Sequence, residues 1–308
     1  MHITAADASR LIVLLVCCAA AIAAKGTTPH IRDIFIGRCE YFKRFGLDAS
    51  SFASFLDCNS TWNAFFRAFA FKQHCDVELD AFDSFYTITK QKVPTGKSTF
   101  WSGTQALSQL FASDGLRAYT IRQTFMGFLV DELTWCGSST DSSGLNFTYC
   151  PSFNENDCSN QAMASFWGGA SKQFALQSTG SVYLLLNGSR GSRPAFVNTS
   201  FFGLYELPNL SLDQNEKVQI LIANTLGMTP NENCDTGSLV TLKERLTSRG
   251  LQYSCEDNPP ILKYMLCALA ENPTSFRECQ FASDRGSLVT HVNLLFLLFV
   301  CFIIVVLH

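Results

Sequence analysis

Apolar positions along the first half of the chain recur at helical spacing. Tyr41, Phe42, Phe45, Phe52 and Phe55 form one stripe, and Phe65, Phe66, Phe69 and Phe71 continue it. Ala106, Leu107, Leu110 and Phe111 form another, ended by Gly115. A T-x-x-Q capping box, Thr120 with Gln123, opens a helix carrying Ile121, Phe125, Phe128 and Leu129 and running towards Leu133. These stripes read as core. The periodicity places Trp101 at the opening of one helix and Asp131 to Cys136 at the close of another. The second half changes character. Ser181 to Leu186, before the turn Asn187-Gly188, reads as a buried strand, and Phe202 to Leu207, Val218 to Ala223 and Leu251 to Ser254 read as three more. Ser238 to Ser248 is an amphipathic helix stopped by Gly250. Strands alternating with a helix predict a small, mainly parallel four-stranded sheet. The fold class expected is α+β and two-lobed, a helical lobe followed by an α/β lobe.

The two ends stand outside that pattern. Leu11 to Ala24 is an apolar run closing on Ala21-Ile22-Ala23, the layout of a secretory signal peptide over 1–24. Val292 to Leu307 is apolar except for Asn293, and a mostly polar spacer, Asp284 to His291, precedes it. Small residues, spacer and hydrophobic tail predict a GPI-anchor signal over 283–308, with attachment among Ala282, Ser283, Gly286 and Ser287; a tail-anchored helix is the other reading. Ten cysteines remain between these ends, an even number that implies a disulfide framework in an exported chain. No CxxC and no Cys/His cluster has zinc-ligand spacing, so no metal is expected. Five N-x-S/T sequons, at Asn59, Asn146, Asn187, Asn198 and Asn209, are candidate glycosylation sites. The net charge of −3 and the lack of a basic stripe argue against nucleic-acid binding. A homodimer is left open.

No G-x-S-x-G, P-loop, H-E-x-x-H or G-x-G-x-x-G motif is present. Aromatic residues and carboxylates stand instead in an ordered series: Trp101; Asp131-Glu132-Leu133-Thr134-Trp135-Cys136; Cys158-Ser159-Asn160 before Phe166-Trp167, with Ser171 one turn on; Leu186-Asn187-Gly188-Ser189-Arg190; and Phe202-Gly203-Leu204-Tyr205-Glu206. In this order, from about Arg38 to Cys279, the segments resemble the ADP-ribosyl cyclase / NAD glycohydrolase family of ectoenzymes, GPI-anchored members included.

The resemblance implies a helical lobe from 26–94 and 119–166, an α/β lobe from 95–118 and 167–282, and a cleft between them. It implies five disulfides: Cys39–Cys58, Cys75–Cys158, Cys136–Cys150, Cys234–Cys255 and Cys267–Cys279. It implies a cell-surface enzyme that takes NAD as substrate and needs no further cofactor. Nicotinamide is already a cationic pyridinium in NAD and departs neutral, so the reaction dispenses with the acid of an ordinary glycosidase pair. One negative charge beside the ribose suffices to stabilise an oxocarbenium-like transition state. By resemblance that charge is Glu206, at the end of the expected strand. Trp101 and Trp167 then stack on the nicotinamide ring, whereas Trp135 fits better as core. Ser171 reaches the ribose, Asp131 the nicotinamide amide, and Ser102 and Phe202 offer backbone N–H groups to the diphosphate. The family's T-L-E-D-T-L stands here as Thr120-Ile121-Arg122-Gln123-Thr124-Phe125, so Arg122 replaces a pocket glutamate that influences cyclisation. Hydrolysis to ADP-ribose, with weak or no cyclisation, is therefore expected; a cyclase and a non-enzymatic surface receptor are the alternatives. The arginine that relatives carry two residues after the first Trp is Gly103, and the threonine before Phe202 is Phe201. Arg122 or Arg190 is left to supply the missing charge.

Overall fold

The computed structural model describes residues 26–46, 56–113, 115, 118–152, 158 and 160–284, the last four by backbone alone. The expected leader, the hydrophobic tail, Gly286 and Ser287, Phe52 and Phe55, and Ser159 lie outside the described residues. Ala282 and Ser283 fall in the last helix, Arg277–Asp284. Among the described residues no helix is long and apolar enough to cross a membrane.

Two compact units alternate along the chain: one runs up to Gln91 and resumes over Phe125–Ala170, the other takes Lys92–Thr124 and continues from Ser171. Arg122 thus falls in the second unit and Trp167 in the first, where the expected lobe boundaries have each on the other side.

The first unit is helical: Ile31–Phe45, Cys58–Phe69, Asp83–Ile88, Phe125–Val130 and the start of Ala162–Gln177. Its core is aromatic. Phe35, Phe65, Phe82, Phe85, Phe166 and Trp135 are fully buried. Trp135 meets Phe65 and Phe166 edge-on, each at 5.3 Å between ring centroids, so this tryptophan is core, as expected. Asp57 caps the second helix, its carboxylate accepting from Asn59 N at 3.0 Å. The Thr120/Gln123 capping box forms, but it opens only a 3-10 turn, Ile121–Gln123. Thr124 is extended, and the helix that follows ends at Val130 rather than running to Leu133.

The second unit holds the sheet: β1 Thr99–Ser102, β2 Val182–Asn187, β3 Val218–Ala223 and β4 Tyr253–Asp257, in that spatial order and all parallel. Helices Gln105–Phe111 and Pro260–Leu269 cover one face, where Leu107, Leu185, Ala223 and Leu262 form the core. On β1, Phe100 packs on Phe174 at 5.2 Å and on Phe202 at 5.8 Å. Burial on both faces explains why β2 is a continuous apolar run. The helix Ser238–Ser248 ends as expected: Gly250 sits at φ 73° and Leu251 N returns to Leu246 O at 3.0 Å.

Two expectations about this unit are corrected. Phe202–Glu206 is not a strand but a π-helical turn, continued by a 3-10 turn over Leu207–Asn209. Phe202, Gly203, Glu206, Leu207 and Leu210 are the buried positions from 202 to 210, a helical rhythm that so short an apolar run hides. Trp101 does not open a helix but lies in β1, and the helix begins after Gly103 and Thr104. The sheet therefore keeps four strands by exchanging one expected strand for another.

Each disulfide closes within one unit. Cys39–Cys58, Cys75–Cys158 and Cys136–Cys150 lie in the helical unit, Cys234–Cys255 and Cys267–Cys279 in the sheet unit. The pairs coincide with those implied by the family resemblance.

Candidate active site

The strands of a parallel sheet end along one edge, and ligands of open α/β sheets bind beyond it. Here that edge carries Ser102, Asn187, Ala223 and Asp257. Trp101 and Ser102 come from the end of β1, both half-buried. Trp101 packs against the Leu107–Leu185–Leu262 cluster and keeps part of its surface open.

Glu206 closes the π-helical turn. The turn forms because Ser200 holds its start, its carbonyl accepting from Leu204 N at 2.9 Å and its hydroxyl from Gly203 N at 3.2 Å. Gly203 lets the chain pass close to the preceding segment: a Cβ there would stand 2.4 Å from Asn198 O. The turn delivers Glu206 into the interior, 6% exposed. Ser171 Oγ donates to Glu206 Oε1 at 2.7 Å, and Oε2 is buried with no hydrogen-bond partner among the described residues. Burial raises the carboxyl from its ordinary 4.5 to about 8, against the pull of the Ser171 hydroxyl. A buried carboxylate held by one hydroxyl and otherwise unpaired is suited to meet a cation.

The remaining expected site residues are placed as follows. Ser171 lies on the helix Ala162–Gln177, four residues after Trp167, so both project from one face of that helix. Trp167 is half-buried and packs edge-on against Phe166 at 5.2 Å. Phe202 is fully buried against Phe100 and Phe196, so only its backbone is offered to a ligand. Arg122 sits on the 3-10 turn Ile121–Gln123. Asp131 follows the helix Phe125–Val130, whose last carbonyls are gathered by Arg38: its Nη1 donates to Asp131 O at 2.6 Å and to Phe128 O and Leu129 O at 3.4 Å each. Arg38 and Ser200 hold the turns that carry Asp131 and Glu206, and sequence reasoning does not single them out, because each acts on backbone carbonyls and amides. Among the described residues no group of three or more His, Cys, Asp or Glu is placed to hold a metal ion.

Comparison with known proteins places the chain in a family. Residues 28–277 match the family model described as ADP-ribosyl cyclase. The ADP-ribosyl cyclase/cyclic ADP-ribose hydrolase of Aplysia kurodai is 36% identical over 260 residues, 83% of this chain and 88% of that protein. The Homo sapiens ADP-ribosyl cyclase/cyclic ADP-ribose hydrolase 2 is 33% identical over 243 residues, 79% of this chain and 74% of that protein. The crystal structure of Aplysia cyclase complexed with substrate NGD and product cGDPR superposes with a TM-score of 0.75 at 33% identity, covering 82% of this chain and 97% of that one. With its parallel sheet, its buried Glu206 and this match over most of its length, the chain belongs to the ADP-ribosyl cyclase family.

Proposed function

We propose that this chain is an enzyme that cleaves the nicotinamide–ribose bond of NAD to give nicotinamide and ADP-ribose, with little or no cyclisation. The observation that carries the reading is Glu206, buried at the end of its π-helical turn with one oxygen on Ser171 and the other without a hydrogen-bond partner among the described residues. As the C–N bond breaks, its electron pair leaves with neutral nicotinamide and positive charge develops on the ribose. The Glu206 carboxylate stabilises that charge. Water then adds to the ribosyl carbon, and its proton passes to Glu206 and on to solvent. The cationic substrate itself favours the ionised carboxylate on binding. Trp101 and Trp167 stack on the nicotinamide, Asp131 takes its amide, Ser171 orients Glu206 and the ribose, and the backbones of Ser102 and Phe202 face the diphosphate. Arg122 in place of a pocket glutamate disfavours holding the ADP-ribosyl group for ring closure before water reaches it. The names of the relatives favour a second reading, in which cyclic ADP-ribose is a product.

Nicotinamide release from NAD, with ADP-ribose and cyclic ADP-ribose resolved, tests both readings on the full chain. Glu206→Gln is expected to lower release by at least about 100-fold, the scale of losing one electrostatic stabiliser of a transition state, while the protein is still exported and folded. Retained turnover in that variant sinks the assignment, and a major cyclic product sinks the bias ascribed to Arg122.

We also propose that the mature chain is a glycoprotein held on the outer cell surface by a GPI anchor. All ten cysteines between the chain's two apolar ends are paired, as in an oxidising compartment. Asn59 and Asn198 are exposed and suit glycans best. The side-chain amides of Asn187 and Asn209 instead donate within the fold, to Gly103 O and Thr225 Oγ1 and to Tyr205 O; Asn146 is half-buried. Phosphatidylinositol-specific phospholipase C should release the protein from intact cells, whereas a tail-anchored helix would keep it there.

A further inference from the structure

Gly103 follows the last residue of β1 at φ 71°, and the space a side chain would fill there is taken. A Cβ on Gly103 would lie 2.8 Å from Arg190 Nε, 2.9 Å from its Cδ and 3.0 Å from its Cζ. The arginine therefore lies across the bare glycine, and a side chain at position 103 would have to push it aside. Its Nη1 donates to Ser102 Oγ at 3.3 Å and to Pro194 O at 3.5 Å, two long bonds that leave the rest of the planar donor fork available. None of the ion pairs among the described residues involves Arg190. The carboxylate of the same loop region, Glu232, is engaged elsewhere: its oxygens accept from Ala195 N, Ser238 N and Ser238 Oγ.

The loop that carries Arg190 is fixed to the edge of the sheet. Asn187, the last residue of β2, accepts from Ser189 N at 2.8 Å and donates to Gly103 O at 3.4 Å, and Gly188 N donates to Ala223 O at 2.9 Å. Glycine, strand end and arginine are thus tied together, and a half-buried guanidinium with no counter-charge among the described residues is held beside Ser102. A fork of N–H donors in that position matches two oxygens of a phosphate.

We propose that Arg190 is the residue that holds the diphosphate of the dinucleotide substrate, reaching over Gly103 to supply the charge that position 103 lacks. The inference rests on the proposed NAD reading for the identity of the ligand, but its test does not need turnover. The affinity of ADP-ribose is measured on the purified full chain for wild type, Arg190→Gln and Arg190→Lys. Loss of a charged hydrogen-bonding partner predicts about 10- to 100-fold weaker binding for the glutamine variant, and an intermediate loss for lysine, which keeps charge without the fork. With NAD as substrate, KM rises by a similar factor while kcat changes little. Cleavage of nicotinamide riboside, which has no phosphate, is unaffected. Inorganic pyrophosphate should compete with ADP-ribose on the wild-type protein, a readout that stands even if the glutamine variant fails to fold. Unchanged ADP-ribose affinity in a folded Arg190→Gln protein, or no competition by pyrophosphate, overturns the proposal. Arg190-dependent ADP-ribose binding by a chain that releases no nicotinamide would instead overturn the glycohydrolase reading and leave this one standing.

Discussion

At the scale of single residues, the chemistry turns on how a carboxylic acid is treated by its surroundings. Glu206 is legible in the sequence only as a glutamate within a recognisable segment. Its burial and its hydroxyl partner Ser171, 35 positions away, are tertiary facts. They have a consequence for stability. The carboxyl binds its proton more tightly in the folded chain, up to about 8, than at its ordinary 4.5. Its contribution to stability is therefore fully present below 4.5 and is lost as pH rises from 4.5 through about 8. Glu206→Gln removes the titration. Relative to wild type, that variant should gain stability between pH 5 and pH 8, by on the order of 2–4 kcal/mol. Denaturant unfolding of both proteins at the two pH values measures the gain, and a difference that does not change with pH would show that Glu206 titrates normally.

At the scale of elements, long periodic segments and their caps were readable, and short ones were not. The helix Ser238–Ser248 with its Gly250 stop, and strands β2 and β3, follow from periodicity and turn residues. Strand β1 has only four residues, too few for a period to show, and Trp101 within it could equally have begun the helix that starts three residues after Ser102. The segment Phe202–Glu206 erred in the other direction. Aromatic and apolar residues in a row favour a strand locally, yet packing on Phe100 and Phe196 and the hold of Ser200 wind it into a π turn. Gly203 makes that winding possible. Gly203→Ala sets a methyl against Asn198 O and Val197 O, backbone atoms that cannot swing away. The substitution should cost about 1–3 kcal/mol and, by moving Glu206, lower kcat by about 10- to 100-fold. Thermal unfolding and nicotinamide release read the two effects; a variant with both unchanged would show that the contact relaxes freely and that the turn does not depend on the glycine.

At the scale of the whole molecule, the chain passes from one unit to the other and back, so neither unit is a continuous stretch of sequence. Periodicity identifies what each stretch becomes but carries no information about which stretches share a core. The sequence by itself determined the helical character of the first half, the parallel α/β character of the second, the even cysteine framework and, through ordered motifs, the family. These depend on spacing and residue type along the chain, which are local properties. Tertiary structure alone decided that Glu206 is desolvated beside Ser171, that Phe202 is core, and that Arg190 covers Gly103. Each of these joins residues distant in sequence, and only the folded packing sets the burial, the close approach and the low dielectric on which their chemistry depends.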